Sequence, residues 1–154
     1  MAIPVNQSMR LTHNFENPTM DEAQKKIDTF NKYNKIPDLQ IRAYSTKNWL
    51  MVNHGLLTDK ELINAFFNIG ADYSQLQNDS FHFGDYKLSL AFNAIATEYF
   101  TYSAEALNAS TPDMENTKET KKEESYSKTI RSHLETLMQD KETITNELAK
   151  PKLE

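Results

Sequence analysis

Twice in the first half of the chain a threonine stands three positions ahead of a glutamate with an apolar run behind it: Thr19 with Glu22, and Thr58 with Glu61. In this pattern the hydroxyl accepts a backbone N–H at the open end of a helix while the carboxylate reaches back, so the helix start is set locally. Behind Thr19, the residues Met20, Ala23, Ile27 and Phe30 recur at spacings of three and four, a stripe that must face a core. Ile36-Pro37 closes that segment, because the residue before proline avoids helical backbone. Behind Thr58, Leu62, Ile63, Phe66, Phe67 and Ile69 form a broad apolar face that runs up to Gly70.

The other elements are marked less sharply. Asp38 can cap a helix over 39–53, with Gly55 as its stop, yet Leu39, Ile41 and Ala43 alternate as in a strand. Trp49, Leu50, Met51 and Val52 form a continuous apolar run that periodicity cannot assign. A polar segment from Ala71 to Ser80 has room for one helical turn around Tyr73 to Gln77. Between Phe81 and Leu90 two patterns overlap. A hairpin could turn at Gly84-Asp85, or a helix could start at Asp85 and carry Leu88, Ala91, Phe92, Ile95, Tyr99, Tyr102 and Ala106 on its apolar spacing. The alanines at 91, 94, 96, 104 and 106 favour the helix.

Ser, Thr, Asn, Lys and Glu dominate 109–125, which breaks the composition. A seven-residue rhythm then returns with Ile130, Leu134, Leu137, Ile144 and Leu148, interrupted by Lys141 and ended by Pro151. The expected fold is all-α: an antiparallel cluster of about four helices (19–35, 39–53, 59–69 and 86–107) plus a long amphipathic C-terminal helix near 118–149. An α+β variant with a small hairpin around Gly84 is the alternative. The expected organisation is an N-terminal arm (1–18), a helical domain (19–108), a polar linker (109–125) and the terminal amphipathic segment (126–150). That last segment either folds back on the other helices or pairs with another chain.

Composition bounds the chemistry. The 154 residues suffice for one core, and the chain has no cysteine, which removes disulfides, zinc-thiolate sites, iron-sulfur clusters and thiol nucleophiles. Mean hydropathy is -0.70 and no stretch of about 18 apolar residues occurs, so neither a secretory leader nor a membrane span is expected. The expected location is cytoplasmic, and a leaderless export route would leave the same sequence. Seventeen basic against 22 acidic residues give a net charge of -5, the wrong sign for a protein that neutralises phosphates.

Catalytic patterns are missing. His13, His54, His82 and His133 share no spacing that puts two imidazoles on one helix face. Asp79 to Asp85 resembles a calcium loop only in its glycine, because Phe81 and Phe83 stand where oxygen ligands belong. Ser80 lies near His82 without a nucleophile elbow, and Gly55, Gly70 and Gly84 are isolated, which excludes glycine-rich phosphate loops. The carboxylates Asp21-Glu22 and Glu123-Glu124 fit helix starts or a solvated linker. No metal or cofactor is expected.

Three functions follow, in order. The first is a protein-binding module, such as an adaptor, a chaperone-like partner or an inhibitor, whose partner is another protein or a second copy. Its expected contact residues are Ile130, Leu134, Leu137, Ile144 and Leu148 with Tyr99, Phe100 and Tyr102, three aromatics that cannot share one helix face. The second is a small enzyme or ligand-binding protein with an interhelical pocket formed by His54, His82, Asp85 and Tyr86. The third is a helix-turn-helix DNA binder, disfavoured because the recognition position, Ala71 to Asn78, holds no Lys or Arg.

Overall fold

A computed structural model describes residues 19–110 and 118–151. It contains five α-helices, α1 (Met20–Tyr33), α2 (Leu39–Asn53), α3 (Asp59–His82), α4 (Tyr86–Ser110) and α5 (Lys118–Ala149), with a 3-10 turn at His54–Leu56. No strand occurs among the described residues, so the fold is all-α and the hairpin alternative around Gly84 falls away. None of these helices is long and apolar enough to cross a membrane. The expected arm, 1–18, and the centre of the expected linker, 111–117, lie outside the described residues.

The chain divides into two compact units, 1–58 and 59–154. In the first, the Thr19 hydroxyl accepts the Glu22 backbone N–H at 3.2 Å, as the capping pattern requires, and α1 ends at Tyr33, short of the expected residue 35. Asp38 caps α2 by accepting the Ile41 N–H at 2.9 Å. Phe30 and Trp49 stack with centroids 4.2 Å apart.

The second unit is a three-helix bundle. α3 packs along α4, and α5 packs along α4. Tyr126 meets Asn64, His133 meets Phe67 and Phe100, and Asp140 meets Gln77, so α5 runs parallel to α3 and antiparallel to α4. Ile130, Leu137 and Ile144, seven residues apart, are each at most 2% exposed and form the seam of α5. The terminal stripe thus folds back into its own unit, and the helix runs Lys118–Ala149, the bounds expected of the long C-terminal helix.

α3 departs most from expectation. It does not stop at 69: it continues through Ala71–Ser80 to His82, because Phe66, Ile69, Tyr73, Leu76 and Ser80 keep the spacing of three and four and all are buried. Gly70 is a contact residue rather than a stop, since a Cβ there would sit 2.9 Å from the Phe100 ring. The stop comes at Gly84, with φ 83°, where Asp85 N–H bonds the Ser80 carbonyl at 2.9 Å and Gly84 N–H bonds that of Phe81 at 3.0 Å. Asp85 then opens α4 by accepting the Leu88 N–H at 3.1 Å, so the Phe81–Leu90 stretch is a helix-to-helix turn. α4 runs to Ser110, three residues past the expected end.

Candidate functional site

α2 is built with two apolar sides. Ala43, Thr46, Trp49 and Leu50 are buried, and Thr46 places its hydroxyl on the Arg42 carbonyl at 2.8 Å, which lets a polar side chain sit there. The opposite side consists of Gln40, Ile41, Tyr44, Asn48, Met51 and Val52, all exposed. Ile41 is 55% exposed, Tyr44 50%, Met51 48% and Val52 60%. Not one residue of this solvent-facing side is charged, and no acid occurs anywhere over 39–58.

A surface helix normally turns charge to water. α1 does so with Asp21, Glu22, Lys25, Lys26, Asp28 and Lys32, and α5 with Glu124, Lys128, Arg131, Glu135, Lys141 and Glu142. α3 exposes Asp59, Lys60, Glu61 and Asp79, and α4 Lys87, Glu98 and Glu105, so α2 is the exception among the described helices. On that flank lies Lys47, half-buried, with Nζ 5.8 Å from the Tyr44 ring centre. The stripe Ile41, Tyr44, Asn48, Met51 spans eleven residues, about 15 Å along the axis. The two units also differ in charge, the first with seven basic against five acidic residues and the second with ten against 17.

The residues expected to bind a partner sit elsewhere. Ile130, Leu137 and Ile144 belong to the bundle core, Leu134 is half-buried, and Leu148 is 37% exposed at the end of the same stripe. Tyr99 and Phe100 are buried, while Tyr102 is half-buried and donates from its hydroxyl to Glu98 Oε1 at 3.1 Å. Burial first, and the neighbouring Glu98 charge second, push the Tyr99 and Tyr102 phenols above the usual tyrosine value. Contact through Ile130, Leu137 or Ile144 would require α5 to leave the bundle.

The expected pocket residues have other local roles. Asp85 caps α4, His82 is exposed beside Phe81 at the end of α3, and Tyr86 is half-buried against the Phe81 ring at 5.2 Å. His54 opens the 3-10 turn of the first unit. His13 lies outside the described residues.

A cleft of about 560 Å³ does occur in the second unit, between the start of α3, the end of α4 and the start of α5. Lys60, Asn64, Ser110, Lys122, Glu123 and Tyr126 supply its polar wall, and Ile63 and Leu107 its apolar wall. Tyr126 donates to Asn64 Oδ1 at 3.0 Å, and burial pushes its phenol up. Glu123 Oε2 is buried without a hydrogen-bond partner among the described residues. Among the described residues no group of three or more His, Asp or Glu side chains is arranged to hold a metal ion.

The sequence carries a signal for the α2 face. Alternation over 39–43 and the run 49–52 are what a helix with two apolar sides looks like when read linearly. No family model, no curated protein and no solved structure matches this chain.

Proposed function

We propose that this protein is a protein-binding module whose contact surface is the exposed side of α2. The observation that carries the reading is the uncharged arc of Gln40, Ile41, Tyr44, Asn48, Met51 and Val52 on a helix whose other side is already core. An apolar stripe held in water is unfavourable unless something covers it, and its four large side chains expose on the order of 400 Å², within the range of the largest patch of a typical monomer, which is often functional. Tyr and Met, both present in the stripe, are enriched in interfaces.

The test is a benzoylphenylalanine photo-crosslinker placed at Tyr44 or Met51 in the full chain, irradiated in the cells that express it. The expected result is a cross-linked species that does not form when the probe replaces Lys25 on the charged side of α1. If the α2 positions yield nothing beyond the Lys25 control, the reading fails.

The cleft of the second unit favours a second reading, in which the chain also holds a small molecule with an anionic group for Lys60 and Lys122 and an apolar body for Ile63 and Leu107. Anilinonaphthalene sulfonate has that chemistry. Its fluorescence enhancement should fall in a Lys60→Ala, Lys122→Ala double variant, and an unchanged enhancement would dismiss the cleft.

A further inference from the structure

We infer that the occupant of the α2 face is the α2 face of a second copy, paired antiparallel about a two-fold axis at the level of residue 46. This rests on the reading of α2 as a contact surface and adds the partner and the register.

The exposed positions 40, 41, 44, 48, 51 and 52 are their own mirror image about 46. Antiparallel pairing therefore puts Ile41 opposite Met51 of the second copy, Tyr44 opposite Asn48, and Gln40 opposite Val52, each pair formed twice. A two-fold contact must be self-complementary in this way, and such dimers are the commonest assemblies. Two faces without charge meet with no like-charge cost, whereas the same pairing through the charged sides of α1 or α5 would have to match each sign. Antiparallel helices also set their dipoles head to tail.

The unit that carries α2 is nearly neutral, with seven basic and five acidic residues, while the other holds the acidic excess. The area is adequate as well. With the flanking Lys47 and Ser45 added, the two copies together would bury on the order of 1,000 Å², the lower bound of a specific interface. The dimer should accordingly be reversible rather than permanent.

Because the chain has no cysteine, the register can be read by introducing one thiol at a time into the full protein. Ile41→Cys and Met51→Cys proteins are mixed and oxidised, and each is oxidised alone. The expected product is a disulfide-linked species of twice 17.8 kDa from the mixture, with at least several-fold less from either protein alone. In the proposed register, like positions lie about 15 Å apart along the axis, beyond the roughly 7 Å that a disulfide spans. Adding Tyr44→Glu to both proteins should abolish the mixed product while the helical circular dichroism stays unchanged.

Equal linkage of Ile41→Cys to itself, or no mixed product, overturns the self-pairing. If the mixed product is absent while the Tyr44 photo-crosslinker still traps a different protein, self-pairing is wrong and the contact surface stands. If both fail, both readings fall.

Discussion

The side-chain amide of Asn93, in α4, donates to Gln77 Oε1, in α3, at 2.6 Å, and both residues are 2% exposed. The same Asn93 amide reaches the Leu137 carbonyl of α5 at 2.8 Å, and Gln77 Nε2 donates to Asp140 Oδ2 at 2.9 Å. Ser89 donates to the Gln77 carbonyl at 2.9 Å. One polar cluster thus joins all three helices of the second unit, and it can register α5 against the α3–α4 pair in a way that the aliphatic seam alone cannot, since sliding by one turn would strand every partner.

Replacing Asn93 by Ala removes the donor and leaves Gln77 Oε1 buried and unsatisfied. The expected cost is about 2–3 kcal/mol of unfolding free energy, read from urea titration, because an orphaned buried acceptor loses its full solvation. A loss under about 0.5 kcal/mol would show that the cluster does not hold the bundle together.

Gly70 and Gly55 should respond oppositely to Ala. At Gly70 a Cβ would meet the Phe100 ring at 2.9–3.0 Å, and that ring is pinned between His133, stacked at 4.7 Å, and Phe67, edge-on at 5.2 Å. The helix-propensity gain of about 1 kcal/mol is outweighed by overpacking, for a net loss of about 1–3 kcal/mol. Among the described residues nothing beyond its chain neighbours lies within 4 Å of a Cβ at Gly55, so Gly55→Ala should be neutral or stabilising by about 0.5 kcal/mol. Thermal unfolding of the two variants side by side checks the contrast.

Alkaline pH should weaken the protein through Tyr99. Its folded phenol titrates above the unfolded value of 10.0, chiefly because it is buried and next because Glu98 is beside it. The folded state therefore holds this proton more tightly. The associated stability is fully present below about pH 10 and is lost as pH rises further, by up to about 1.4 kcal/mol per pH unit while only the unfolded form ionises. In Tyr99→Phe the urea midpoint should fall less steeply between about pH 10 and 11.5 than in the unmodified chain. An equal slope in the two proteins would contradict the assignment.

How much of this was legible in the sequence depended on whether buried residues were also apolar. Thr19, Asp38 and the stripe Ile130, Leu137, Ile144 announced themselves, because caps and heptads are local patterns. The second half of α3 did not, because Gln77 and Ser80 look solvated until Asn93, Asp140 and the backbone of α4 and α5 are there to satisfy them. Gly70 closes an apolar face in the sequence as a helix stop would, since a contact glycine and a capping glycine look alike without the Phe100 ring. The α2 face was hidden differently. Apolar residues on both sides of a helix cancel in any periodicity, so Ile41, Tyr44, Met51 and Val52 blurred with Ala43, Trp49 and Leu50 into an undecided run.

The most direct measurement is the mass of the full-length protein in solution by light scattering coupled to size exclusion, from about 5 to 200 µM, beside Met51→Glu. An interface of about 1,000 Å² lies at the small, transient end of the size range, so the concentrations extend well above the micromolar. The expected result is a mass that climbs toward twice 17.8 kDa with concentration for the unmodified chain and stays at 17.8 kDa for Met51→Glu. A mass of 17.8 kDa for both proteins at every concentration would contradict the pairing of α2 with itself.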